Sequence, residues 1–123
     1  KTLKQISTGK SENKFGVDKN TFLKIINSLN GSNYINIKCL SVHIGSQIMN
    51  NKPYEEMLNV VDKLLKTINY KFEYIDLGGG MGIKYDNERK NLDYKKYSNS
   101  ILNFKNKHKC KTGTTLPITY QCR

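Results

Sequence analysis

The chain has 123 residues, 37% of them hydrophobic, enough for one modest domain or for part of a larger one. Its net charge of +11 is almost wholly lysine, with Arg89 and Arg123 the only arginines, and the lysines are spread along the whole length. Such a scattered Lys/Asn-rich composition reads as a solvated surface and argues against a nucleic-acid partner, while no apolar run approaches the roughly 18 residues of a membrane span.

In chain order, Gln5-Ile6-Ser7-Thr8-Gly9 and Asn13-Lys14-Phe15-Gly16-Val17 are two short segments bounded by glycines, with no helix to begin a domain. The chain is therefore expected to start inside a larger unit. Asp18 is placed to cap a first helix whose apolar positions Phe22, Leu23, Ile25, Ile26 and Leu29 follow a 3.6-residue period, and Gly31 is placed to close it. Residues 34–44 are rich in β-branched side chains and predict a strand. After it, Asn50, Asn51 and Pro53 form a cap and first turn. The second helix should then bury Tyr54, Met57, Leu58, Val61, Leu64, Leu65 and Ile68, with Glu55, Glu56, Asp62, Lys63 and Lys66 on the opposite, solvated face. Residues 71–77 predict a second strand. Asp93 can cap a third helix to about Lys107, built on Tyr94, Tyr97, Ile101, Leu102 and Phe104.

Strands alternating with helices imply βαβ units and a parallel sheet. Two strands cannot make a sheet covered on both faces, so the fold class is α/β: either a small open unit or a slice of a (β/α)8 barrel. In both, functional groups gather at the carboxyl ends of the strands. His43-Ile44-Gly45-Ser46 and Gly78-Gly79-Gly80 fall there, on consecutive strands.

The glycine cluster demands a reason, because glycine weakens regular structure by roughly 0.5–1 kcal/mol relative to Ala. A turn of successive amides after a strand suits an anion, most often phosphate. Ser46 adds a hydroxyl, and Gly45 permits close approach of the backbone. Beside a phosphate cradle, the His43 imidazole could stack on a flat ring or move a proton. Asp76, just before the glycines, is equally suited to capping a loop. A Ser46–His43–Asp76 triad is disfavoured because Ser46 does not sit in a G-x-S-x-G elbow. The cysteines Cys39, Cys110 and Cys122 are odd in number and lack C-x-x-C spacing, which argues against a disulfide framework and a zinc site. With no signal-peptide core at Lys1-Thr2-Leu3-Lys4-Gln5, a soluble cytoplasmic setting is expected.

Three ordered motifs resemble one family. Lys4–Gly9 with Asn13–Val17, then Val42-His43-Ile44-Gly45-Ser46-Gln47, then Asp76-Leu77-Gly78-Gly79-Gly80-Met81-Gly82-Ile83, are similar to diaminopimelate decarboxylases over roughly residues 1–109. The resemblance implies a partial (β/α)8 TIM barrel of the alanine racemase-like kind that binds pyridoxal 5′-phosphate (PLP). Gln47 favours the diaminopimelate branch, since the ornithine branch usually reads His-Val-Gly-Ser-Gly. It further implies that His43 stacks on the PLP ring, that Ser46 lies near its phosphate, and that Gly78, Gly79 and Gly80 form the turn whose amides hold that phosphate. Lys14-Phe15-Gly16 would line the barrel mouth.

The departures are also definite. The family's Schiff-base lysine lies on an earlier strand than any here, so no lysine of this chain takes that role. Where the family has a Glu-Pro-Gly-Arg segment, residues 109–123 keep only Pro117. The catalytic cysteine lies outside the chain, and Cys110 and Cys122 do not match it. Residues 1–109 are therefore expected to be barrel and residues 110–123 an atypical tail. By resemblance, the intact enzyme converts the amino acid meso-2,6-diaminopimelate to L-lysine and CO2 as a homodimer, while this fragment alone is expected to be inactive. Two alternatives stand beside it: a related ornithine, arginine or carboxynorspermidine decarboxylase, or a non-catalytic basic anion-binding α/β module.

Overall fold

A computed structural model describes residues 16–83, 92–112 and 118–119. The order is α1 (Lys19–Leu29), β1 (Cys39–Ser41), α2 (Lys52–Thr67), β2 (Tyr74–Asp76), α3 (Tyr94–Thr112) and β3 (Ile118–Thr119). The three strands form one parallel sheet in the order β1-β2-β3, with Leu40 opposite Ile75 and Ile75 opposite Ile118. This is the alternating α/β arrangement expected of a barrel segment.

Local chemistry sets the helix starts and stops. Asp18 accepts from the amides of Asn20 (2.8 Å) and Thr21 (3.1 Å), as its position predicts. Gly31, at φ +83°, follows the end of α1 in the left-handed conformation that suits glycine. Asp93 caps α3 through the Lys96 amide at 2.9 Å. Asn51 departs from expectation. It precedes α2 but makes no capping bond with its side chain, which donates instead to the Asp93 carbonyl at 2.9 Å and ties the starts of α2 and α3 together.

Both predicted strands are longer than those observed. Residues 34–38 carry strand-like side chains, but before β1 begins only the Lys38 carbonyl bonds the neighbouring backbone, while Ile37 N donates to the Tyr70 hydroxyl at 2.7 Å instead. Strand propensity forms a ladder only where a partner backbone lies alongside. The short β3, which the sequence pattern does not suggest, pairs with β2, and α3 continues past Lys107 to Thr112.

Burial places the core between sheet and helices. Leu40, Ile75 and Leu77 cluster with Tyr54, Met57, Leu58 and Val61 of α2 and Tyr97, Ile101 and Phe104 of α3, and Ile26, Phe72 and Leu92 complete the cluster. Tyr94 and Leu102, expected in the apolar stripe of α3, are exposed. The other face of the sheet, with Cys39, Ser41 and Tyr74, is open among the described residues. Strand alternation thus gives one face to the helices and the other to the barrel interior.

Asp62 corrects the assignment of a solvated face to α2. It is buried and receives Lys66 Nζ at 2.5 Å and Lys107 Nζ at 2.9 Å, with His108 Nε2 3.2 Å away. His108 is itself buried, its ring 4.4 Å from that of Phe104. Burial pushes the Asp62 carboxyl up, but the hydrogen bonds from Lys66 and Lys107 outweigh it and bring its pKa down to about 2.

The depressed value fixes the sign of a pH effect. Stability from Asp62 is fully present above the unfolded carboxyl pKa of about 4 and is lost as pH falls from there toward about 2. Asp62→Asn should lower stability at pH 7 by roughly 1–2 kcal/mol, allowing for two half-exposed lysines. It should also flatten the acid limb of a urea-unfolding series between pH 4 and 2. An unchanged acid limb in the variant would contradict this.

Candidate functional site

Two loops leave the carboxyl ends of neighbouring strands and are zipped to each other by backbone bonds. One follows β1 through residues 42–49; the other follows β2 through residues 77–83. The Val42 amide donates to the Asp76 carbonyl at 2.9 Å and continues the ladder past the strands. Farther out, the Ile48 amide donates to Gly80 O at 2.9 Å and the Gly82 amide to Ile48 O at 3.0 Å, forming an isolated parallel bridge between Ile48 and Met81.

Glycine makes this approach possible. Gly80 has φ +84°, and a Cβ there would overlap the Gly45 carbonyl outright. Gly78 has φ +67°, and a Cβ there would lie 2.6 Å from Val42 O and 2.9 Å from His43 Nδ1. The imidazole of His43 therefore lies directly against the Gly78 backbone, and the Ser46 backbone lies beside Gly80. All the residues singled out in the two loops are brought together in space. Lys14 and Phe15 lie outside the described residues; Gly16 is exposed, with φ +80°.

The amides divide into used and unused. Gly78 N donates to Asp76 Oδ1 at 2.8 Å, so the first glycine of the expected cradle spends its N–H on the protein. Among the described residues, the amides of Gly79 and Gly80 and the Ser46 hydroxyl have no protein partner. The free donors thus begin one residue later than the sequence suggests. Unpaired N–H groups on successive residues are donors of the kind that suit phosphate oxygens, and the Ser46 backbone lies beside them. These groups fit the phosphate end of PLP. Asp76 accepts from Gly78 N and from Ser41 Oγ (3.1 Å), so it belongs to the loop and not to a triad with Ser46.

Two supports escaped the sequence reading. Tyr54, at the start of α2, points its hydroxyl at the Gly79 carbonyl at 3.4 Å and packs edge-on against Tyr97, with ring centroids 4.7 Å apart. Burial, reinforced by Tyr97 and Tyr94, pushes the Tyr54 hydroxyl up to about 12, which keeps it a neutral donor at physiological pH. Its helical spacing marked it only as core. Gln47 adopts φ +57°, unusual for a residue with a side chain, and its Oε1 accepts from the Ile83 amide at 3.2 Å. The available signal was that the ornithine branch has glycine here, a residue that would take this conformation without strain.

The sequence and fold agree with known proteins. The sequence matches the family described as "Pyridoxal-dependent decarboxylase, pyridoxal binding domain" over residues 1–119. It is 34% identical over 105 residues to the diaminopimelate decarboxylase of Campylobacter jejuni, covering 83% of this chain and 26% of that protein. It is also 35% identical over 116 residues to that of Methanocaldococcus jannaschii, covering 90% and 26%. The structure superposes on the Helicobacter pylori diaminopimelate decarboxylase complexed with L-lysine with a TM-score of 0.80 and 31% identity, covering 98% of this chain and 30% of that one. The chain thus spans about a quarter of the length of the curated relatives it matches.

Gly80→Ala should cost roughly 2–4 kcal/mol, from the left-handed conformation plus the overlap with Gly45. Gly31→Ala, with similar φ but open space around it, should cost about 1 kcal/mol. Equal shifts of the two variants in urea unfolding would contradict the packing argument. At position 47, Gln47→Gly should be more stable than Gln47→Ala by up to about 1 kcal/mol, because both lose the bond to Ile83 and only glycine relieves the strain. Thermal denaturation in which the alanine variant melts higher would overturn that ordering.

Proposed function

The chain belongs to the pyridoxal-dependent decarboxylase family, as a pyridoxal-binding domain, and from that premise we propose that it is part of a diaminopimelate decarboxylase. The reaction of the full-length protein is PLP-dependent decarboxylation of meso-2,6-diaminopimelate to L-lysine and CO2. The observation that supports this reading is the zipped pair of loops, with His43 against Gly78, the Ser46 backbone beside Gly80, and the Gly79 and Gly80 amides left unpartnered. The names of the relatives and the Gln after His-Ile-Gly-Ser support the diaminopimelate branch over the ornithine one.

When bound, PLP supplies an electron sink for the electron pair left behind as the α-carboxylate departs. This chain's own residues act by placement. The amides of Gly79 and Gly80 and the Ser46 hydroxyl hold the phosphate. His43 would pack against the ring and keep water from it. Tyr54 holds the turn in shape through the Gly79 carbonyl, as a neutral donor. In this reading residues 1–109 correspond to part of the family's barrel, and residues 110–123 diverge from the Glu-Pro-Gly-Arg segment that tunes the ring in the family. The lysine that anchors the cofactor matches no residue here. The full-length protein works in the cytoplasm as a homodimer.

Two measurements test the reading. Extending the reading frame on both sides and assaying CO2 release should give turnover of meso-2,6-diaminopimelate to L-lysine, and none of L-ornithine, L-arginine or carboxynorspermidine. The 123 residues alone should release no CO2 from any of them. Preference for another substrate would move the protein to a sister branch. Turnover by the short chain would refute the division of labour described above.

A further inference from the structure

We propose that Asp76 is a positioning residue for the phosphate site, holding the glycine turn in the conformation that leaves the Gly79 and Gly80 amides free. The inference rests on the reading of that turn as the PLP phosphate cradle.

Asp76 stands at the last ladder position of β2, directly opposite Ser41 of β1. Three of its oxygens are engaged. The backbone carbonyl accepts from the Val42 amide at 2.9 Å, Oδ1 from the Gly78 amide at 2.8 Å, and Oδ2 from the Ser41 hydroxyl at 3.1 Å. One residue thus joins the end of β2, the end of β1 and the first amide of the turn.

The geometry of the turn depends on the bond from the Gly78 amide. A carboxylate accepting from the amide two residues ahead bends the chain locally without a backbone partner. Here the bend delivers Gly78 into φ +67° against Val42 and His43, and Gly80 into φ +84° against Gly45. With the Gly78 N–H committed, the next amides are the ones left for a ligand. Ser41 restrains the carboxylate from the neighbouring strand, so the turn is registered to β1 and therefore to His43 and Ser46.

The charge of Asp76 is not what the site requires. A carboxylate near a phosphate repels it, and both side-chain bonds need only an acceptor for Gly78 N and a group that bonds Ser41 Oγ. An asparagine satisfies both, accepting from Gly78 with its carbonyl and donating to the serine with its amide. An acid that instead paired with a cationic part of the ligand would be damaged by the same change. Asparagine and alanine therefore separate positioning from charge.

The test uses pyridoxine 5′-phosphate, an alcohol that cannot condense with surface lysines, and pyridoxine as the phosphate-free control. Hydrogen exchange of the glycine amides is followed on the same samples. Asp76→Ala should weaken pyridoxine 5′-phosphate by roughly tenfold or more, leave pyridoxine unchanged and speed Gly78 amide exchange by a similar factor. Ser41→Ala should do the same to a smaller extent. Asp76→Asn should bind as tightly as the native chain, or more tightly, with Gly78 still protected. Asp76→Ala binding and exchanging like the native chain would overturn the proposal, as would Asp76→Asn losing affinity while Gly78 stays protected. Failure of the native chain to prefer the phosphorylated ligand would overturn the cradle itself, and this inference with it.

Discussion

The structure depends on one backbone-to-backbone approach, that of Gly80 to the carbonyl of Gly45. No side chain fits between them, and the bond from Ile48 N to Gly80 O at 2.9 Å closes the contact. Close packing of this kind leaves little freedom to adjust. Because the two loops come from adjacent strands, their contact turns two flexible strand ends into one framed site. A Cβ at Gly78, Gly80 or Gly82 would press on the partner loop, which explains the density of glycine better than ligand contact alone.

The helices hold this frame from beneath. Tyr54 reaches from the first turn of α2 to the Gly79 carbonyl and packs on Tyr97 of α3, while Asn51 joins the starts of the same two helices. At the other end of α2, Asp62 gathers Lys66, Lys107 and His108 and fastens α2 to α3 a second time. Asp62 remains ionised because the lysine hydrogen bonds outweigh the cost of its burial. A site built of bare amides needs such bracing, since a free amide binds an anion well only when it is already held in place.

What this chain carries follows the architecture of the barrel. In the proposed reading, consecutive strand ends supply the phosphate contacts locally, within one βαβ unit. The groups that anchor the cofactor and tune its ring come from other strands in the resembled family. A chain a quarter of the relatives' length thus carries both loops of the proposed cradle. The face bearing Ser41 and Asp76 is polar where a helix-covered face would be apolar, as suits the ligand end of a barrel interior.

By itself, the sequence determined the alternation of helices and strands, the caps at Asp18, Gly31 and Asp93, and the placing of His43, Ser46 and the glycines at strand ends. Each of these depends on periodicity, on a capping side chain or on a short motif, all of which act within a few residues along the chain. Only the tertiary structure decided that Asp62 is buried, that Asn51 serves α3 as well as α2, and that Gly78 gives its amide to Asp76. It alone extended α3 and placed β3 beside β2. Those outcomes turn on partners 35 or more residues away or on the exact direction of a loop, and local pattern carries no information about either.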